Sequence, residues 1–235
     1  MNHHLPRSVA NAAKVIVASK SIATEVIEHF GISEQNINII PFGVRSVFFS
    51  ESPVANNLPE ALDGHPFMLF VNGADPRKNL ADTVQAFALF VEKHKSEVWR
   101  LAVTGETSAM SEALQTQGVV ALGYPTETEL AQLYRSAQGL CYPSKYEGFG
   151  LPVIEALASG TTVLTSRTPT LLEFAGLPGV VTPDADSVDG LMSGMETLVS
   201  NKTKQEAAQN RVKAQLQFSW EKCVDRTVAC YRELA

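Results

Sequence analysis

Short apolar, β-branched runs alternate with amphipathic helical stretches along most of this chain, and no other feature limits its possible folds as tightly. Residues 67–71 (FMLFV) are continuously apolar, as a strand buried on both faces of a parallel sheet must be. Residues 79–94 place Leu80, Val84, Phe87 and Val91 at three- and four-residue spacings, the mark of a helix with one buried face. Further strands are expected at 98–104, 118–122, 139–142, 161–165 and 179–182. Helices are expected over 126–137, opened by the capping box Thr126-Glu127-Thr128-Glu129, and over 152–159, 169–175, 187–200, 203–215 and 219–234. Repeated strand–helix units imply a parallel sheet covered on both sides: an α/β, doubly wound, Rossmann-like fold. Upstream, 14–18 (KVIVA) reads as a strand, 20–30 as a helix stopped by Gly31, and 36–40 as a strand ended by Pro41 and Gly43.

The domain plan follows from the punctuation. Residues 1–49 look like the end of an earlier unit plus an entry segment. Residues 50–66, with three prolines, Asn56-Asn57 and Gly64, read as a surface linker; 67–200 form the main sheet domain and 201–235 its closing helices. At roughly 150 residues per α/β domain, 235 residues do not hold two complete Rossmann-like domains.

Composition removes several function classes. With 45% apolar and 19% charged residues the chain is ordinary globular sequence, not disordered, collagenous or coiled-coil. A net charge of −6 argues against general binding to nucleic acid or an anionic membrane. Cys141, Cys223 and Cys230 are odd in number and match no zinc spacing, so they read as reduced thiols of a cytoplasmic protein. The N-terminus has no apolar signal core, and no run is long enough to span a bilayer; the sequon at Asn201-Lys202-Thr203 therefore reads as chance. The five histidines show no ligand spacing. No GxGxxG follows a strand, which disfavours a dinucleotide-dependent dehydrogenase.

In such a sheet, ligands bind outside the carboxyl ends of the strands. Four segments fall there: 72–79 (NGADPRKN), 104–106 (TGE), 123–125 (GYP) and 143–150 (PSKYEGFG). The last is the most informative. Gly148 and Gly150 let backbone approach a ligand, Pro152 suits a first helical turn, and the N–H groups of the following helix form an anion site. That helix is apolar except for Glu155 and Ser159. Leu151, Glu155 and Ala158 share a face, which draws the Glu155 carboxylate away from water and requires a partner for it. Taken singly, each feature has a plainer reading: Glu147 as an exposed loop acid, Glu155 as a carboxylate satisfied by backbone, Arg77-Lys78 as a solvated pair, and Gly105 and Gly123-Tyr124 as turns.

Together the features change weight. Glu147 and Glu155 are separated by seven residues in EGFGLPVIEALASG, directly after a strand ending Tyr-Pro-Ser, and this segment resembles the signature of family-4 glycosyltransferases. VIVASKSIATEVIEHFGI and IIPFGV are similar to that family's segment joining its two domains. NGADPRKNL resembles its phosphate-contacting turn, LGYPTETELAQLYRSA lies at the family's usual interval before the signature, and FSWEKCVDRTVACYREL resembles its closing helix. The similarity covers nearly all the chain, as the C-terminal half of a two-Rossmann-domain (GT-B) enzyme. On that basis 1–49 correspond to a remnant of the acceptor domain and the crossing segment.

The resemblance implies a donor-binding domain of a retaining enzyme that moves a hexose from a nucleoside diphosphate sugar to an acceptor. Glu155 would hold the ribose hydroxyls, Glu147 would lie against the hexose, and the amides of Gly148, Phe149 and Gly150 would complete the sugar pocket. The helix start at Leu151 would face the diphosphate. Lys78 and Arg77 would neutralise the leaving phosphate without a metal or other cofactor. One common form of the family pattern separates the Arg and Lys by several residues, and here they are adjacent. Gly105, Gly123 and Tyr124 would lie by the nucleobase. The DPRKNL form resembles mannosyltransferases, so GDP-mannose is preferred over UDP-glucose. Asp184-Ala185-Asp186 spells the DxD of metal-dependent glycosyltransferases, but its place ahead of a helix reads as capping. The expected partners are a nucleotide sugar and the N-terminal acceptor domain or a partner subunit. Contact with a membrane would come only through the intact enzyme. The alternative is a non-catalytic nucleotide-sugar-binding or partner-subunit module.

Overall fold

The computed structural model describes residues 4–50, 58–106, 115–184, 187–200, 214 and 217–234. Its centre is a six-stranded sheet built from β3 (Phe67–Phe70), β4 (Arg100–Thr104), β5 (Val119–Gly123), β6 (Gly139–Tyr142), β7 (Val163–Thr165) and β8 (Val180–Val181), in the spatial order β5-β4-β3-β6-β7-β8. Every pairing is parallel. The chain thus winds outward in one direction through β3, β4 and β5, then returns to the middle and winds the other way from β6. The fold is the doubly wound α/β arrangement, with its switch point between β3 and β6.

Alternation along the strands divides the core in two. Phe67 and Leu69, with Leu140 and Tyr142, face a layer formed by α4 (Glu127–Ser136) and α5 (Leu151–Ala158). Met68 and Phe70, with Leu101, Val103, Cys141 and Leu164, face α3 (Leu80–Lys93) and α7 (Val188–Leu198). The expected stripe on α3 is present and gains Phe90, which is fully buried against Trp99. Burial raises the Cys141 thiol to about 12, so this cysteine is an inert core residue.

Several elements differ in extent from their expected spans. The strand expected at 98–104 begins at Arg100, leaving Val98 exposed. The helix expected over 169–175 is a single turn, α6 (Pro169–Leu172), because the chain continues into tight turns ending at Gly179. The α4 capping box is formed, with Thr126 and Glu129 satisfying each other's backbone N–H. At α7 the cap is Ser187, whose hydroxyl accepts from the Gly190 N–H, and not an aspartate of the DxD run; Ala185 and Asp186 lie outside the described residues, as does most of the helix expected over 203–215. Within 50–66, Leu62 is completely buried in the main core, because a short turn at Glu60–Leu62 folds it inward.

The upstream segment packs on the sheet domain. Helix α1 (His4–Asn11) precedes β1 (Val15–Val17), which pairs in parallel with β2 (Ile37–Ile39) as a separate two-stranded sheet, linked by α2 (Lys20–Phe30). After β2 the chain crosses into the main domain: Val44 N–H donates to the Phe218 carbonyl at 2.9 Å and Phe48 enters the core. Gly43 passes against the start of α8 (Trp220–Arg232) so closely that a Cβ there would lie 2.3 Å from the Trp220 nitrogen. Backbone on both sides cannot yield, so Gly43→Ala is expected to destabilise by about 1–3 kcal/mol. Thermal denaturation would check this as a melting temperature several degrees lower, and an unchanged midpoint would show that the crossing is looser than described.

Candidate functional site

The turn after β3 and the turn after β6 meet at the switch point, and they bring two charged residues into contact. Asp75 caps the short 3-10 turn Pro76–Lys78, its carboxylate accepting from the Arg77 N–H at 2.9 Å. This turn swings Lys78 under the sheet edge, where it is only 8% exposed. There Lys78 Nζ donates to Glu147 Oε1 at 2.5 Å and to the Tyr142 hydroxyl at 2.7 Å. The Tyr142 hydroxyl in turn donates to Glu147 Oε1 at 2.7 Å, and Lys78 Nζ lies 4.7 Å from the centre of the Tyr142 ring. Three groups from the ends of two adjacent strands close a small polar triangle in an apolar surround. A buried lysine is tolerable only where its charge is matched in this way.

Arg77 does not join this cluster. Its guanidinium binds the Asp75 carboxylate through Nε at 3.1 Å and a terminal nitrogen at 2.6 Å, and its side chain is 61% exposed. The Arg77 hydrogen bonds hold the Asp75 carboxyl below the usual carboxylate range. The adjacent basic residues expected to act together therefore point apart, because a local partner two residues away captures one of them.

The loop from Ser144 to Gly150 is fixed from three sides. Ser144 Oγ donates to the Arg77 carbonyl at 3.1 Å, and Lys145 N–H to the same oxygen at 2.7 Å. Thr170 Oγ1 of α6 donates to the Glu147 carbonyl at 2.7 Å. From the upstream unit, Ser19 Oγ donates to the Gly148 carbonyl at 2.8 Å, and the Tyr146 hydroxyl donates to Glu25 at 2.8 Å. Phe149 turns inward against Phe42, Phe174 and Phe218, which anchors the loop. Gly150 adopts φ +101, a value that favours glycine, and opens α5 without a side-chain cap. Among the described residues no acceptor receives the N–H groups of Gly148, Phe149, Gly150 or Leu151. They form a row of donors at a helix start, suited to an anion or to sugar oxygens.

One turn into α5, Glu155 lies half-buried with its carboxylate accepting from the Tyr134 hydroxyl of α4 at 3.2 Å. Burial raises the Glu155 carboxyl to about 7, against the smaller downward pulls of the Tyr134 hydrogen bond and of Arg45. Burial and the neighbouring Glu155 push the Tyr134 hydroxyl well above its ordinary range, so it remains a donor. The partner that Glu155 was expected to need is thus a tyrosine from the neighbouring helix.

The third group of expected residues stands apart from these. Gly105 and Gly123 lie at the ends of β4 and β5, joined by a Gly105 N–H to Gly123 carbonyl bond of 2.6 Å. Gly105 has φ +100, and a Cβ there would come within 3.0 Å of the Asn72 Cα, so this position needs glycine. Tyr124 is 76% exposed and lines a groove of about 220 Å³ with Leu58, Pro59, Leu122 and Gln132. Neither Lys78 nor Glu147 reaches this groove. Sequence reasoning named Lys78, Glu147 and Glu155 but missed Tyr142 and Tyr134. The available signal was a tyrosine on a buried face, whose hydroxyl must find a partner.

Comparison with known proteins identifies the family. The family model described as glycosyl transferases group 1 matches residues 57–215. The chain belongs to this family. It is 29% identical to O-antigen chain mannosyltransferase B of Escherichia coli, over all of this chain and 64% of that protein. It is also 29% identical to the MMP alpha-(1->4)-mannosyltransferase of Mycolicibacterium hassiacum, over 94% of this chain and 54% of that one. The chain therefore spans between about half and two thirds of these curated relatives. The solved structure of Anabaena HepE with UDP and glucose superposes with a TM-score of 0.83 at 18% identity, covering 99% of this chain and 68% of HepE. Sucrose-phosphate synthase of Thermosynechococcus elongatus gives 0.80 at 24% identity, covering 97% and 60%. Among the described residues no helix is long and apolar enough to cross a membrane.

The Glu155 shift has a stability consequence. A carboxyl raised in the folded protein binds its proton more tightly there than in the unfolded chain. Its favourable contribution is complete below the ordinary carboxyl range, near 4.5, and is lost as pH rises through about 7. Glu155→Gln is expected to remove that part of the decline. Thermal melts of both proteins at pH 5, 7 and 9 would check it: the difference between variant and parent should grow in the variant's favour with pH. A constant difference would mean that the Glu155 carboxyl titrates normally.

Proposed function

We propose that this chain is the donor-binding half of a retaining glycosyltransferase that transfers a hexose, with mannose preferred, from a nucleoside diphosphate sugar to an acceptor. The observation that carries this reading is the convergence of Lys78 and Glu147 at the switch point, beside the open donors of Gly148–Leu151 and one turn from Glu155. In this reading the diphosphate lies at the start of α5 and draws on Lys78, while the ribose hydroxyls reach Glu155. Glu147 receives the hexose hydroxyls: its Oε1 is occupied by Lys78 and Tyr142, whereas Oε2 has no partner among the described residues.

Cleavage of the bond between the sugar C1 and the β-phosphate oxygen would leave an oxocarbenium-like sugar and a nucleoside diphosphate. Lys78 and the α5 donors stabilise the charge that grows on the departing oxygen, without a metal. Arg77 can take part only if it gives up Asp75. The similarity to two mannosyltransferases and the DPRKNL turn support GDP-mannose as donor, with UDP-glucose as the competing case. The acceptor would be held by a preceding domain, of which 1–49 carry the last part, and the intact enzyme would work in the cytoplasm.

Calorimetric titration of the chain with GDP, UDP and ADP tests this reading. One nucleoside diphosphate should bind saturably, and both Lys78→Ala and Glu155→Ala should weaken it by about 10- to 100-fold, the usual worth of a hydrogen bond to a charged group. No binding at millimolar concentration, or binding indifferent to both substitutions, would refute it. Turnover separates an enzyme from a binding module, because an enzyme half supplied with its acceptor domain should consume donor.

A further inference from the structure

We infer that Tyr142 is a positioning residue for the sugar side of this site, holding Glu147 in place when Lys78 moves to the diphosphate; the inference rests on the donor-site reading above. Tyr142 ends β6, and alternation along the strand sends its side chain to the α4/α5 face, where it is almost completely buried. Its hydroxyl has one proton and donates it to Glu147 Oε1, while its lone pairs accept from Lys78 Nζ. Lys78 and Glu147 neutralise each other directly, at 2.5 Å.

A diphosphate arriving at the start of α5 competes for the Lys78 ammonium. If Lys78 turned to it, Glu147 would lose its counter-charge and one of the two hydrogen bonds on Oε1. The Tyr142 hydroxyl is the remaining donor to that oxygen, and it is set on a rigid strand. Burial, with Glu147 second, pushes this hydroxyl far above its ordinary range, so it stays protonated throughout. It therefore keeps the carboxylate in one rotamer with Oε2 open toward the sugar. The backbone of Glu147 is held separately by Thr170, which leaves the side chain's orientation to Tyr142.

The consequence is a split between two ligands. Tyr142→Phe keeps the ring and removes only the hydroxyl. Calorimetry on the same chain should show nucleoside diphosphate affinity unchanged within about threefold, since the phosphate replaces the acceptor that Lys78 has lost. The matching nucleotide sugar should bind about tenfold more weakly, because Glu147 is free to turn away. GDP with GDP-mannose and UDP with UDP-glucose are the probes. Equal weakening of both ligands would mark a merely structural role, and no change in either would mark none; each overturns the inference. If the parent chain binds neither ligand, the donor-site reading falls first and the inference with it.

Should the variant fail to fold, the parent protein still decides the matter. The five tyrosines can be labelled at 13Cζ and the other four assigned by substitution. The Tyr142 resonance should shift on adding the nucleoside diphosphate, as Lys78 leaves its oxygen. A resonance that stays in place while ligand binds overturns the inference.

Discussion

A sheet whose strands all run parallel delivers every strand-to-helix turn to the same edge, and this constraint organises the rest of the molecule. No segment can return by a tight hairpin, so helices fill both faces and the polar turns gather where strands end. The reversal of winding between β3 and β6 then separates two of those turns from the helices that would otherwise cover them. Lys78 and Glu147 stand 69 residues apart in sequence, yet their strands are neighbours and their turns meet at one edge of the sheet. The chemistry at this edge follows from the topology before any single side chain is considered.

The apolar surround makes the site's electrostatics effective. Lys78, Glu147 and Glu155 all lie where water is partly excluded, so each needs a fixed partner, and two tyrosine hydroxyls supply the neutral ones. Tyrosine suits this purpose because its ring contributes to the core while its tip remains polar. Arg77 shows the contrast. It is solvated and paired with Asp75, a surface arrangement in which a charge interacts weakly with anything beyond its neighbour. Two adjacent cations thus have different surroundings, and only the buried one reaches Glu147.

Much of this was legible in the sequence. The continuous run at 67–71 and the spacing from Leu80 to Phe87 define a doubly wound sheet domain, because burial on both faces leaves few other patterns. Glu155 was legible as needing a partner because an acid on an apolar helix is costly to bury, and Glu147 was joined to it through the resemblance of EGFGLPVIEALASG to a known signature. Partners across long sequence separations were hidden. Tyr142 reads as one more core residue, and nothing local reveals that Lys78 reaches its oxygen from 64 positions away. Tyr134 is hidden likewise on the buried face of α4. The pairing of Arg77 was hidden for the opposite reason: its partner Asp75 is local, but the geometry of the capped turn decides whether that contact forms. Leu62 was misread because prolines on either side suggest a surface path, while one short turn is enough to bury a single leucine.

The central claim is that the switch point binds a nucleoside diphosphate through Lys78, the start of α5 and Glu155. A crystal structure of the chain with GDP or UDP bound tests it most directly. The account predicts phosphate oxygens within hydrogen-bond distance of Lys78 Nζ and the Gly150–Leu151 amides, the ribose hydroxyls on Glu155, and the Lys78–Glu147 contact lengthened from 2.5 Å. A nucleotide seated elsewhere, or bound here with Lys78 still closed on Glu147, would contradict it.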